Sequence, residues 1–326
     1  MRLITLEEHY QAPMLKLVAV LGGGEPPPDS PIARIQAKLD DVGDQRIADM
    51  DAGGIDVQVV SHGAPGTEQL DPQEAVTLAT AANEYLAQAI AAHPDRLAAF
   101  ATLPTGAPEA AADELERAVT DLGFKGALIN GHVRGEFLDA AKFWPIFERA
   151  QDLGVPIYLH PTEPPPAVRD AYYGGLPPRV GQALSMAGWG WHVDTGLHVL
   201  RLIAGGVLDE YPGLQIIVGH MGEALPFFLA RSSRVLRQRA GMSRPLEEYT
   251  AANLHFTTSG MFTYPPLTCL LEVVGVDRVM FSVDYPYSSN EEGRDFALGA
   301  PISDADREKL GFANAARLLG LGSSPR

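Results

Sequence analysis

Short apolar runs recur along the chain, and most are followed by a longer stretch whose apolar positions return at helical spacing. The runs predict strands over 3–9, 55–61, 97–103, 125–130, 155–160, 214–220, 254–259 and 278–284. Helical patterns fill 72–94, 107–123, 139–154 and 193–213, and several stop at a glycine or a His-Pro pair just before the next strand. Strand-then-helix repetition implies parallel strands joined by right-handed crossovers. Eight such units fit an α/β fold of the (β/α)8 TIM-barrel type, distorted by long insertions at its C-terminal mouth, in one domain over residues 1–326. An open doubly wound sheet would carry a glycine-rich phosphate loop after the first strand, and none is present.

Two segments are too long for plain connections. Residues 22–32 (GGGEPPPDSPI) are rich in glycine and proline, and residues 161–190 form an insert after the fifth strand. Loops of this kind lie at the mouth of a barrel, so both are expected to serve as pocket walls or as subunit contacts. The stretch WGWHVD, with Trp189, Trp191 and His192, is expected either in the pocket or in core or interface packing, with packing favoured because tryptophans bury large areas.

Composition narrows the function class. The net charge is −16 and the sequence pI near 4.9, with no lysine–arginine cluster, which argues against nucleic acid and anionic membranes as partners. Hydrophobic content of 46% is enough for a sizeable core. The single Cys269 leaves no intrachain disulfide. The first strand begins at once, without a basic segment and a long apolar one, and no run approaches a membrane span; a soluble cytoplasmic protein is expected.

The chemistry lies at the ends of the strands. The first carries Glu7, Glu8 and His9; the fifth ends in His160, the sixth in His220 and the eighth in Asp284. Singly, a histidine at a strand end or an aspartate opening a turn is ordinary. Together they would place metal-ligand types from four strands around one mouth, the catalytic face of this fold. Side chains alternate along a strand, so Glu7 and His9 are expected to share a face, with Glu8 turned away in a structural role. Imidazoles with carboxylates suit zinc first and manganese second, and not an all-oxygen calcium or magnesium cage. Asn130 ends the fourth run where a bridging carboxylate or lysine would be needed for two metals, so one divalent ion is expected.

The segments LEEHY, QRIADMDAGGIDVQVVS, HPDRLAAFATLP, GVPIYLHP, TGLHVLRLIAGGVLDEYPGLQIIVGHMGEALPF, TTSG and RVMFSVDYPY run from residue 3 to about residue 290. In these the chain resembles the amidohydrolase superfamily, in its branch of metal-dependent nonoxidative decarboxylases of hydroxybenzoates. The resemblance implies that Glu7, His9, His160 and Asp284 hold the metal, with Asp284 delivering a proton to the ring. It implies that His220 and Glu223 form an acid/base pair, and that Arg231, Tyr287 and Ser259 touch an aromatic carboxylate substrate. A homodimer or homotetramer is implied as well, with Arg231 serving either its own pocket or a neighbour's.

Two departures bear on the substrate: DYPYSS replaces the usual DWPFE, putting Ser288 where a carboxylate is common, and GGGEPPPD does not match the expected aromatic segment. Two other readings use the same residues. One is a metal-dependent hydrolase of a lactone, ester or amide, since sites are grafted on shared folds. The other is a barrel that keeps its metal only as a structural plug, which would leave His220 and Glu223 without a task.

Overall fold

The computed structural model describes residues 1–15, 27 and 29–322. Nine strand segments run in parallel: β1 (Ile4–Tyr10), β2 (Val57–His62), β3 (Leu97–Ala99), β4 (Ala101–Thr102), β5 (Ala127–Asn130), β6 (Ile157–His160), β7 (Ile216–Val218), β8 (Leu254–Thr257) and β9 (Val279–Met280). Their hydrogen-bonded order is β1-β2-β3 and then β4 through β9. β3 and β4 are one barrel strand interrupted at Phe100, which makes eight staves of a (β/α)8 barrel.

All eight expected strands are found with shifted bounds: the last three stop short where the chain leaves the ladder to build the mouth, while β1 and β2 each run one residue further, to Tyr10 and His62. The helical patterns became helices Pro72–Ala92, Pro108–Thr120 and Trp144–Leu153, while 193–213 split into Gly190–Ala204 and Val207–Glu210. Starts follow capping chemistry: the Asp71 side chain accepts from the Gln73 amide, with Pro72 at the first helical position. Stops do too, as where Gly154 adopts the left-handed conformation after Leu153. Insert 161–190 contains helices Pro166–Tyr173 and Pro178–Ser185. Most of the expected 22–32 loop lies outside the described residues; from Pro31 the chain is helical to Asp40. No helix among the described residues is long and apolar enough to cross a membrane.

Alternation along the strands divides the core in two. Ile4, Leu6, Val59, Phe100, Leu128, Tyr158, Ile217 and Met280 fill the barrel, while Tyr10, Val60, Ile129, Leu159, Val218 and Phe256 pack under the helices. The seam between the last stave and the first is closed by a side chain. Glu8 accepts hydrogen bonds from the Val283 amide at 3.0 Å, the Tyr285 amide at 3.1 Å and Ser282 Oγ at 3.2 Å. The His9 amide donates to the Tyr285 carbonyl at 2.7 Å. Burial pushes the Glu8 carboxyl up to about 7.

At the seam, the fully buried Arg46 donates to the His9 carbonyl at 2.6 Å and to Gln58 Oε1 at 3.2 Å, with its guanidinium over the Tyr285 ring. A guanidinium is sequestered there because backbone carbonyl, amide and aromatic face replace its water.

On β8, His255 is buried beside Arg278, whose Nη1 lies 3.2 Å from its Nε2. Burial, with Arg278 and Arg317 nearby, lowers its pKa to about 3. In the unfolded chain this imidazole takes up a proton near pH 6.5 that the folded protein refuses until about 3. Stability therefore falls as pH drops through that window, by up to ~1.4 kcal/mol per pH unit for the one group. Denaturant titrations between pH 7 and 4 should give a shallower loss for His255→Gln than for the parent chain; equal slopes would remove His255 from the linkage.

Candidate active site

The position of Glu7 depends on a break in its strand. Ile4 and Leu6 point into the barrel, so unbroken alternation would carry Glu8 inward and turn Glu7 and His9 out. The register with β2 instead shifts between Leu6 and Glu8, and Glu7 takes φ 67°. This one-residue bulge resets the phase. Glu7 and His9 then both face the mouth and Glu8 faces the seam, as expected, but through the bulge and not through plain alternation.

Two further corners share the left-handed backbone of Glu7. Asp284 has φ 68°, and His220, Met221, Glu223 and Ala224 have φ between 46° and 64°. Left-handed backbone is costly for residues with a Cβ, and it collects where a strand end must aim a side chain at a site.

The four expected ligands meet, together with His220. Glu7 Oε1 lies 3.2 Å from His160 Nε2 and 3.4 Å from His220 Nε2. Asp284 Oδ1 lies 3.4 Å from His9 Nε2, and Oδ2 lies 3.7 Å from His220 Nε2. Ligand atoms of Glu7, His9 and His160 fall within 4.8 Å of one another, and so do those of Glu7, His220 and Asp284.

The two oxygens of Glu7 have different surroundings. Oε2 accepts from the Tyr158 hydroxyl and from Ser259 Oγ at 2.6 Å, and Tyr158 is steadied by Thr257 Oγ1 at 2.8 Å. Oε1 is buried with no hydrogen-bond partner and faces the imidazoles. An acceptor oxygen left bare in such a place is costly unless a cation or donor completes it. Imidazole nitrogens and carboxylate oxygens converging on it are the donor set of a first-row divalent metal, so these residues fit such an ion.

Electrostatics agree with that assignment. Burial would raise the Glu7 carboxyl, but His220, His160 and His9 outweigh it and hold the pKa well below the usual range. Burial lowers His160, keeping its imidazole neutral as a ligand must be. Burial would also lower His220, yet Glu7, Glu223 and Asp284 raise it well above its ordinary value. Asp284 is raised by burial but pulled below its usual range by hydrogen bonds from His220 and His9. Tyr158, raised by burial and by Glu7, remains a protonated donor.

The residues assigned to substrate divide. Tyr287 is at the mouth, half-exposed, its ring edge-on to His9 at 5.9 Å. Ser259 is fully buried beneath the ligands, its hydroxyl donating to Glu7 Oε2 and lying 3.2 Å from Ser282 Oγ. Arg231 is exposed on helix Leu225–Ala240 and makes no hydrogen bond or ion pair with a described residue. Nor is Trp191 simply packing: its ring lies 6.5 Å from that of His160 and its Nε1 is 3.2 Å from His192 Nε2, whereas Trp189 is exposed.

Sequence reading missed Arg46 and Tyr158, whose tasks depend on partners distant in the chain. Tyr158, two residues before His160 on a strand, could have been found as an inward polar tip one layer below a ligand. Gly219 also has a reason: a Cβ there would come within 2.5 Å of Glu7 Oε2 and 3.1 Å of the Tyr158 hydroxyl.

Tyr158→Phe removes one of two donors that fix Glu7 and should weaken divalent-metal binding roughly 10- to 100-fold. Gly219→Ala should act in the same direction by displacing Oε2. Chelator-competition titration checks both; unchanged affinity in both would remove this pair from the support of the site.

Comparison with known proteins agrees with this geometry. A family model described as Amidohydrolase matches residues 26–321. The chain is 39% identical to the decarboxylase orsB of Emericella nidulans, over 97% of this chain and 96% of that protein. It is 37% identical to a gamma-resorcylate decarboxylase of Rhizobium sp. (strain MTP-10005), over 98% of each. A crystal structure of a dihydroxybenzoic acid decarboxylase from Polaromonas sp. JS666, with bound manganese and the inhibitor 2-nitroresorcinol, is 36% identical. It superposes with a TM-score of 0.89 over 98% of this chain and 97% of that one. Matched by the family model over most of its length and by these relatives from end to end, this chain belongs to the amidohydrolase family.

Proposed function

We propose that the chain is a metal-dependent nonoxidative decarboxylase acting on an ortho-hydroxybenzoate. The carrying observation is the bare, buried Glu7 Oε1 among His9, His160 and Asp284, with the His220–Glu223 pair against it. The decarboxylase relatives, one of them solved with a resorcinol-type inhibitor, support the substrate class. Glu7, His9, His160 and Asp284 would hold one divalent ion. Their mixed nitrogen and oxygen donors accept zinc or manganese, and manganese in the Polaromonas relative favours the latter.

When bound, such an ion supplies a Lewis acid that keeps the substrate's phenolate and carboxylate in one geometry. A benzoate does not lose carbon dioxide directly, because the departing electron pair would be stranded in an sp² orbital outside the aromatic system. Protonating the carbon that bears the carboxylate removes that obstacle. His220 Nε2 faces the mouth while Nδ1 is held by Glu223 Oε1 at 2.7 Å; with the charge of Glu7 and Asp284 taken up by a cation, Nε2 would be free of the proton those carboxylates hold there and placed to take the phenol proton.

Asp284 Oδ2, 3.7 Å from His220 Nε2, is the group placed to receive that proton from His220 and pass it to the ring carbon. The carbon–carbon bond then breaks, its electrons restore the aromatic ring, and carbon dioxide leaves. Tyr287, beside His9, would border the ring, and Arg231 would serve a carboxylate from a neighbouring subunit.

That neighbour is part of the proposal. Phe227 is 77% and Phe228 51% exposed on the helix that carries Arg231, and Tyr172, Val180 and Leu184 are exposed on the 161–190 insert. The Phe227 and Phe228 rings lie edge-on at 5.2 Å and form a contiguous exposed aromatic patch, the kind that marks a contact surface, and a second copy of the chain, in a homodimer or homotetramer, is proposed to cover it. Phe227→Asp with Phe228→Asp should yield a smaller species by light scattering, whereas an unchanged mass would place the contact elsewhere.

The first activity test is metal analysis followed by incubation with a panel of ortho-hydroxybenzoates and measurement of carbon dioxide. About one metal per chain with gas evolved is expected. His220→Ala should keep the metal and lose roughly 10²- to 10⁴-fold in turnover; a fully active variant would sink the role given to His220.

A further inference from the structure

Glu223 carries two imidazoles, one on each oxygen. Oε1 lies 2.7 Å from His220 Nδ1, and Oε2 lies 2.6 Å from His192 Nδ1. The mechanism above uses only the first. Glu223 is 2% exposed, so bulk water cannot replace a partner that is lost. His192 stands in the first turn of helix Gly190–Ala204, with its ring edge-on to that of His220 at 4.8 Å between centroids. Its other nitrogen, Nε2, lies 3.2 Å from Trp191 Nε1 and 3.0 Å from the carbonyl oxygen of Ala187. With the proton on Nδ1, one neutral tautomer donates to Glu223 and accepts from the Trp191 indole at once.

His192, His220 and Glu223 also lie close enough together to suggest a second metal site. The hydrogen bonds argue otherwise, because both Nδ1 atoms already rest on the carboxylate.

We propose that His192 is a positioning residue for proton transfer at His220. By occupying Oε2 it fixes the plane of the Glu223 carboxylate. That plane holds the His220 proton on Nδ1 and directs Nε2 toward Asp284. Without His192 the buried Oε2 is bare, and the carboxylate is free to turn toward another donor and release the His220 ring. Trp191 anchors His192 in turn by donating to Nε2, so the first turn of helix Gly190–Ala204 is tied to the imidazole that moves the proton. The kinetic consequence rests on the decarboxylase reading; the effect on the tautomer of His220 does not.

The test compares the parent chain with His192→Ala and with His192→Asn, whose side-chain amide can place a donor near the position of Nδ1. Zinc-loaded proteins are assayed with 2,6-dihydroxybenzoate and a salicylate panel. Histidine-¹⁵N NMR reads the tautomer of His220, assigned with His220→Gln. His192→Ala is expected to lower kcat roughly 10- to 100-fold, the range for losing a group that orients a site residue. KM and metal content should stay within about twofold, as the first-ligand geometry is untouched. The Nδ1–H signal of His220 should be lost or mixed, and His192→Asn should recover most of both effects.

An unchanged kcat in His192→Ala, metal loss in step with activity, or an asparagine no better than alanine would each overturn the proposal. Should the parent chain turn over none of the panel, the decarboxylase reading falls separately. The NMR then decides alone: an intact Nδ1–H signal in His192→Ala overturns the positioning role, and a lost signal supports it.

Discussion

One carboxylate, divided between two environments, organises this molecule. Glu7 gives one oxygen to Tyr158 and Ser259 and keeps the other bare toward the imidazoles of His160 and His220. Neither half works without the other. Unheld, the carboxylate would rotate to satisfy both oxygens; fully satisfied, it would have nothing to offer a cation. Placing it there requires the bulge at Glu7, and the bulge is tolerated because the seam around it is anchored on both sides. Glu8 holds the backbone at Val283 and Tyr285, and Arg46 holds the carbonyl of His9.

Consequently the barrel is closed and the site is aimed by the same short segment. Ligands come from β1, the end of β6 and the turn after β9, which are brought together only when the last stave meets the first. Strain at Glu7 and Asp284 is sustained by these long-range hydrogen bonds. A closed barrel provides such support because its interior is packed and its strand ends cannot drift apart independently.

Polar chemistry beyond the ligands is layered in the same way. Tyr158, Thr257 and Ser259 lie beneath Glu7; Glu223 lies behind His220, and His192 behind Glu223. Each layer removes rotational freedom from the one nearer the mouth. Orientation is thus established before substrate arrives, which is where a preorganised site gains its advantage.

The apolar runs and their helical intervals determine the eight staves, because burial in a parallel barrel demands those patterns whatever the loops do. The same runs, ending in Glu7, His9, His160, His220 and Asp284, make the ligand set legible from local pattern and strand polarity. Which face Glu7 takes was not decided there: Ile4 and Leu6 point to the opposite phase, and only the shift against β2 reverses it. Ser259 illustrates the same limit, since its hydroxyl is assigned by a carboxylate 252 residues away in the chain. Arg46 carries no local signature, and nothing local names the partner of Tyr158 or His192, because a buried polar group acquires its role from the partner that replaces its water, and only the tertiary structure supplies that partner.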